Sequence, residues 1–322
     1  MDKILGIGNA LVDIMTRLED ESLLDAYNLP KGSMQLVDQE FSKKLTRATA
    51  HLHKQQASGG SAANTIHGLA RLGVDAGFIG KVGQDELGQF FLEDMQQAGI
   101  DARLLKSNTD SGRAIALVSP DSERTFATFL GAAVELSPDD LTPELFKGYQ
   151  YLHLEGYLIQ NHELLKRAFE LAKEKGLQIS LDLASFNVVE TNLDFLSTLV
   201  NQYVDILFAN EEEAKAFTGR EPEEALDELA NLCDIAIVKV GKDGSYIKRG
   251  VEKHHISPIA VQPVDTTGAG DAYAAGFLCG LVRNKGLEQC GNIGAVLAGK
   301  VIEGVGAKMD EKKWTEIEQM IR

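Results

Sequence analysis

The run Asp265-Thr266-Thr267-Gly268-Ala269-Gly270-Asp271 leads directly into the apolar segment Ala272–Leu281. Small residues ahead of a helix leave several free backbone N–H groups converging on one point. The helix adds roughly half a positive charge at its N-terminus, so the turn suits an anion. Asp271, in the first helical turn, then lies within reach of whatever that anion hole holds. The same carboxylate also suits a capping role, because acidic residues favour first turns for the same dipole reason. The turn alone leaves both readings open.

A second glycine motif lies about 200 residues earlier. Gly59-Gly60-Ser61-Ala62-Ala63-Asn64 opens a helix predicted over Ala62–Leu72. Gly60, Asn64 and Gly68 recur every four residues and share one face, which lets a ligand approach the backbone closely. Tight helix–sheet packing, with Asn64 in solvent, is the alternative. Around these motifs the chain alternates strand, turn and helix. Buried strands are predicted at Lys3–Gly8, Gly77–Val82, Tyr151–Leu154, Gln178–Leu183, Ile206–Ala209 and Ile235–Val240. Helices are predicted at Leu87–Gln97, His162–Lys175 and Glu223–Leu232, with mainly helical chain from Gly268 onward. Apolar strands alternating with amphipathic helices argue a parallel sheet covered on both faces. Two stretches break the rhythm. Leu11–Arg17 and Ser33–Val37 read as strands with no helix between them, and Gly112–Ser119 with Glu123–Leu130 reads as a hairpin turning at Pro120-Asp121-Ser122. These are expected to form a small separate sheet over one edge of the main one.

The 322 residues are enough for one large core. A net charge of -16 repels phosphate backbones and anionic lipid, so neither nucleic acid nor membrane is an expected partner. A nucleotide site must collect its positive potential locally. Cys233, Cys279 and Cys290 sit in apolar surroundings without metal-ligand spacing and read as core residues of a reducing compartment. The N-terminus reads as a strand, with no export signal, and no apolar run approaches the roughly 18 residues of a membrane span. A cytoplasmic location is expected. Gly6-Ile7-Gly8 lacks the third glycine of a dinucleotide fingerprint, where Leu11 stands, and no GxxxxGK[ST], HExxH or GxSxG occurs. His254-His255 reads as a solvated strand edge.

The two glycine motifs, in this order and separation, resemble the paired signatures of the ribokinase-like (PfkB) carbohydrate kinases, and the resemblance spans essentially the whole chain. It implies a three-layer α/β/α fold with a mostly parallel central sheet, a single kinase domain over residues 1–322, and a small β-sheet lid built from about residues 11–17, 33–37 and 112–130. It implies ATP and Mg²⁺ as cofactors, with Asp271 as base and Gly268, Ala269 and Gly270 as anion hole. Arg124 matches an arginine that, in relatives resembling adenosine kinase, neutralises the transferring phosphate; an exposed hairpin residue is the alternative. Asn9 and Asp13, with Gly59, Gly60 and Asn64, fall where the family binds substrate hydroxyls. Phe186 is a candidate to stack on a purine or to pack in the core. Asn210 and Glu213 resemble an N-x-x-E element associated with Mg²⁺ and phosphate, and equally form a helix capping box. Lys239 and Gly241 resemble the nucleotide-side loop, together with Thr267; Gly241 and Gly244 also suit a hairpin turn. Asp265, Thr267 and Gly306 are implied positions for a potassium ion held on backbone carbonyls, which would order the loop. The spacing Asn9–Asp13 and the Asn210–Glu213 segment look more like adenosine kinases than ribokinases, so a nucleoside such as adenosine is the expected acceptor. A free sugar of fructose, ribose or 2-keto-3-deoxygluconate type is the second expectation, and a non-catalytic nucleotide- or sugar-binding regulator the third. Monomers and lid-mediated homodimers both fit the resemblance.

Overall fold

The computed structural model describes residues 2–121 and 123–321. Strand β1 (Ile4–Ile7) is followed by β2 (Leu11–Arg17), α1 (Ser22–Ala26), β3 (Met34–Leu36), α2 (Gln39–Ala48) and β4 (Lys54–Gly59). Next come α3 (Ser61–Arg71), β5 (Ala76–Gly83), α4 (Glu86–Gln97), β6 (Asp101–Ser107) and the hairpin β7 (Gly112–Val118) and β8 (Arg124–Phe129). The chain then alternates through β9 (Tyr151–Glu155), α5 (His162–Glu174), β10 (Gln178–Asp182), α6 (Phe186–Thr191) and α7 (Leu193–Tyr203). It continues with β11 (Ile206–Asn210), α8 (Glu211–Thr218), α9 (Pro222–Leu229) and β12 (Ile235–Lys239). A hairpin of β13 (Ser245–Arg249) and β14 (Glu252–Ile256) precedes α10 (Ala269–Val282), α11 (Leu287–Ile302) and α12 (Glu311–Met320).

The strands form two sheets. The larger has nine strands in the order β14-β13-β12-β11-β10-β9-β1-β5-β6. Its strands from β12 to β6 are parallel, and β13 and β14 are antiparallel at one edge. The smaller has five strands in the order β3-β8-β7-β2-β4. Alternation along each buried strand divides the core. Ile206, Phe208, Ile235 and Ile237 face one layer, with α3, α10 and α11. Leu207, Ala209, Ala236 and Val238 face the other, with α5, α7 and α9. Both faces are dry, which is why these strands carry no polar alternation.

Helix α10 is apolar all round, and ten of its fourteen residues are buried, so it lies inside the molecule against α3 and α11. The Gly68 face of α3 meets it: a Cβ on Gly68 would stand 2.8 Å from that of Ala275. The repeat Gly60-Asn64-Gly68 therefore serves packing at its C-terminal end as well as the site at its start.

The expected strands and helices are present with ends shifted by one to three residues. Three features differ from the sequence reading. Helix α1 does lie between β2 and β3; at five residues, with only Leu24 buried, it is too short to show a periodicity. Strands β4 (KQQASG) and β6 (DARLLKS) are mostly polar or half-exposed, and their pairing with β2 and β5 alone makes them strands. Helix α2 packs beside the smaller sheet without having been expected. Of the turn Pro120–Ser122, Ser122 lies outside the described residues, but the hairpin closes through Ser119 N–H donating to the Glu123 carbonyl at 2.8 Å. Gly241 and Gly244, both with positive φ, turn the chain between antiparallel β12 and β13. His254 and His255 lie on β14, the edge strand. All three cysteines are free, and no described helix is long and apolar enough to cross a membrane.

Phe277 of α10 is fully buried, edge-on to Phe208 with ring centroids 5.5 Å apart. Phe277→Ala is expected to lower the unfolding free energy by about 3–5 kcal/mol, read as a lower urea midpoint, because the parallel sheet above it cannot collapse into the void.

Candidate active site

Strand order reverses direction of progress at β1: the chain moves from β1 to β5 on one side and later returns through β9 on the other. In parallel sheets the crevice beyond the strand carboxyl ends at such a point is the natural ligand site. Here it is a cavity of about 880 Å³, and it takes residues from both sheets and from the start of α10. Asp182 ends β10, Asn210 ends β11 and Lys239 ends β12, and all three line it.

The two glycine motifs meet at Asp271. Ser61 Oγ donates to Asp271 Oδ1 at 2.7 Å, and Asn64 Nδ2 donates to Oδ2 at 3.0 Å. Thr65 Oγ1 donates to the Asp271 carbonyl at 3.3 Å. Segments 210 positions apart thus share one carboxylate. Gly268 makes this geometry: at φ 76° it sits in the left-handed region, and a Cβ there would stand 2.6 Å from that of Ala307. Gly60 has the same necessity at φ 100°, where a Cβ would fall 2.0 Å from the Asn9 carbonyl oxygen. Burial pushes the Asp271 carboxyl up to about 6; Ser61 and Asn64 oppose this, the charge of Asp182 adds to it and Lys239 opposes it.

A second group lies along the sheet ends. Lys239 Nζ donates to Asp182 Oδ2 at 2.8 Å, and it lies close to Gly270, where a Cβ would be 3.2 Å away. Burial pulls the lysine down, but Asp182 and Glu213 outweigh that and hold its proton more firmly than usual. Glu213 is raised, first by burial and then by Asp182. Asn210 and Glu213 do form the capping box: Asn210 Oδ1 accepts from Glu213 N–H at 2.8 Å, and Glu213 Oε2 accepts from Asn210 N–H at 2.8 Å. Both also line the cavity, so cap and wall are one structure.

The acceptor-side residues divide. Asp13 on β2 lines the cavity, and burial raises its carboxyl to about 6, with Lys308 lowering and Asp271 raising it. Gly59 lies against it, leaving 2.4 Å between a Cβ and Asp13 Oδ2. Asn9 does not face the cavity. Its Nδ2 donates to Glu155 Oε1 at 2.6 Å, and its backbone N–H donates to the same oxygen at 3.0 Å. Phe186 is 40% exposed and is not among the lining residues; Phe126 and Tyr157 supply the aromatic surface instead. The Arg124 guanidinium is also turned away, being held by Asp265 and Thr267.

Two residues without a sequence motif support the site. Glu155, buried at the end of β9, accepts from Asn9 through Oε1 and from Ala62 N–H through Oε2 at 2.8 Å. It ties the start of α3 to the ends of β1 and β9; burial raises it to about 7 against these three donors. Lys308 Nζ is buried without a hydrogen-bond partner, and burial lowers it to about 8 despite the charges of Asp94, Asp13 and Asp271. Glu155 reads as the last residue of an apolar strand and Lys308 as a C-terminal charge, so nothing local marks either.

Two outcomes follow from this geometry, one at Asp271 and one at Gly60. Ionised Asp271 opposes folding, because its carboxyl is raised in the folded chain. That penalty is absent below the ordinary carboxylate range, at about pH 4, and complete above about pH 6. Asp271→Asn should therefore raise Tm at neutral pH, and the gain over wild type should shrink as pH falls through about 6. A Tm difference constant across that window would show that Asp271 titrates elsewhere. Gly60→Ala should lose stability by more than about 1 kcal/mol, seen in chemical denaturation, since both φ and the Asn9 carbonyl exclude a methyl.

Comparison with known proteins agrees with this fold. The family described as "pfkB family carbohydrate kinase" matches residues 36–314. The solved adenosine kinase of Sinorhizobium meliloti is 34% identical, with a TM-score of 0.86 over 99% of both chains. A probable sugar kinase of Rhizobium etli is 33% identical, with a TM-score of 0.87 over 99% of this chain and 98% of that one. The curated adenosine kinase of Schizophyllum commune is 25% identical, with 98% of each chain covered. The chain belongs to the PfkB family of carbohydrate kinases and is an ATP-dependent sugar or nucleoside kinase.

Proposed function

We propose that the chain phosphorylates the hydroxymethyl group of an uncharged ribofuranoside, with adenosine the favoured acceptor. The observation that carries this is the position of Asp271, between the free amides of Gly268–Gly270 and an acceptor end walled by Asp13, Ser61 and Asn64. The cavity wall also holds Phe126 and Tyr157. A carboxylate or phosphate on the acceptor would lie against the carboxylates of Asp13 and Asp271, which outnumber the buried Lys308 ammonium near them. This disfavours sugar acids, including the 2-keto-3-deoxygluconate class, and sugar phosphates. Aromatic walls suit the flat face of a base. The likeness to adenosine kinases supports the same choice.

In the proposed mechanism the smaller sheet acts as a lid on a single kinase domain. The ATP triphosphate points at Gly268–Gly270, and its base lies against Ile259, Val261 and Ala298. Asp13 accepts from substrate hydroxyls, and so does Asn64 Oδ1, which is buried without a partner. Asp271 takes the proton of the attacking hydroxyl as its oxygen bonds to the γ-phosphorus and the bond to the ADP oxygen breaks. The Gly268–Gly270 amides stabilise charge on the transferring group, and Lys239 holds positive potential beside Gly270. Glu213 and Asp182 are hard oxygen donors on the cavity wall and suit a Mg²⁺ ion bound mainly by phosphate and water, which would supply charge neutralisation there. Asn9 belongs behind this machinery, through Glu155.

Four measurements test the reading. ADP release across nucleosides, ketoses, aldoses and sugar acids should favour adenosine; a free hexose with far higher kcat/KM would leave the family and remove the nucleoside. Asp271→Asn should keep the fold and near-normal KM values while kcat falls by at least about 10². In wild type the same base should give kcat/KM an acid limb with a midpoint at about 6, rising with pH as the carboxyl ionises. Asp13→Ala should raise KM for the acceptor about ten- to a hundred-fold, as expected for a lost charged hydrogen bond, with KM for ATP unchanged.

A further inference from the structure

The loop that carries the anion hole is tied to the smaller sheet by one buried ion pair. Arg124 opens β8, and its Nη1 meets Asp265 Oδ2; the two side chains are 8% and 10% exposed. Arg124 Nη1 also donates to Thr267 Oγ1 at 3.2 Å. Thr267 Oγ1 in turn donates to Asp265 Oδ1 at 2.8 Å, and Thr267 N–H donates to the same oxygen at 3.0 Å. Gly306 N–H donates to Asp265 Oδ2 at 2.6 Å. A carboxylate offers about four lone-pair sites. Asp265 has two donors on each oxygen, so all are used.

This arrangement bears on the potassium ion that the sequence implied at Asp265, Thr267 and Gly306. An alkali cation needs free oxygen lone pairs, and a guanidinium already stands against this carboxylate. Like charges in a poorly hydrated place repel strongly. Met15 of β2 also lies over Gly306, its Cε 3.7 Å from where a Cβ would be, and shields the spot from water. The Asp265 side chain keeps no lone pair for the ion, and an ion on the backbone carbonyls beside it would face the Arg124 guanidinium, so the residues present do not fit it. Burial pushes the Asp265 carboxyl up, yet Arg124, Thr267 and Gly306 together hold it below the usual carboxylate range, so the pair stays charged.

We propose that the Arg124 guanidinium, delivered by the smaller sheet, takes the place of a monovalent cation and orders the Asp265–Gly270 loop from outside the transfer site. Arg124 is then a positioning residue, not a phosphate contact, and the anion hole is fully formed only when β8 is docked on the loop. The kinase works without potassium. The proposal rests on the kinase reading for its kcat arm alone; its thermal arm needs no substrate, so the two readings fail separately.

The test compares wild type and Arg124→Gln in potassium chloride and in N-methyl-D-glucamine chloride at equal ionic strength. Wild-type kcat and ligand-free Tm should be the same in both salts, with kcat within about two-fold. Arg124→Gln should lose about ten-fold or more in kcat in the organic salt and unfold at lower temperature. Potassium should restore part of both, since Asp265 is then uncompensated and open to a cation, and Arg124→Lys should retain more activity than Arg124→Gln. Activation of wild type by potassium of about ten-fold would overturn the proposal, and that arm stands even if Arg124→Gln does not fold. A kcat loss in Arg124→Gln that potassium leaves untouched, with unchanged Tm, would return Arg124 to the transferring phosphate and overturn it too. Wild-type kcat in Arg124→Gln would do the same.

Discussion

Five carboxylates crowd the ends of the parallel strands in a chain whose net charge is already -16. Asp13, Glu155, Asp182, Glu213 and Asp271 are all largely withdrawn from water, and Lys239 and Lys308 are the cations that oppose them nearby among the described residues. Burial of like charges is costly, and four of the five respond by holding protons more tightly than free carboxyls do. What keeps them tolerable is a set of donors placed by the fold: Asn9 and Ala62 on Glu155, Ser61 and Asn64 on Asp271, Asn210 on Glu213. The start of α3 is thereby held at one end by a buried glutamate and joined at the other to the base. The rest of the site is arranged around that tension.

The same tension suits phosphoryl transfer. A crevice with this much negative charge attracts cations and repels bare phosphate, so a polyphosphate enters best when its own charge is neutralised. The amides at the head of α10 add positive potential without a titratable group. On the proposed mechanism stability is given up locally for chemistry, since an uncharged residue at position 271 would relieve the crowding and remove the proposed base. The Arg124–Asp265 pair repeats the pattern one layer out. A buried charge is compensated there by a charge from another sheet, and the order of one loop comes to depend on where that sheet sits.

The larger sheet was legible in the chain because its strands are buried on both faces and read as unbroken apolar runs. Its helices were legible because they are amphipathic or, in α10, wholly apolar. The missed elements have a common cause. Strands β4 and β6 are polar, and α1 is a single short turn of structure, so their identity comes from neighbours and not from their own pattern. In the site, the turn Gly268–Asp271 and the segment Gly59–Asn64 were recognisable because close backbone approach demands glycine at fixed spacing. Glu155 and Lys308 stand in no such motif.

Local chemistry in the sequence was enough to determine a glycine turn at a helix start, a carboxylate beside it, a second glycine face and a parallel α/β architecture. These depend on residues near one another in the chain. Which way a side chain turns was decided only by tertiary packing. Asn9 follows the first strand where a ligand contact was expected, but Glu155, brought in by β9, captures it. Arg124 sits on the expected hairpin, but Asp265 lies closer than the cavity and claims its charge. Asn64 was read on a ligand face, and the fold sets it, with Ser61, on Asp271, because packing of Gly68 against Ala275 brings α3 and α10 together at hydrogen-bonding distance. A polar side chain goes to the partner that burial leaves it, and only the folded chain shows which partner that is.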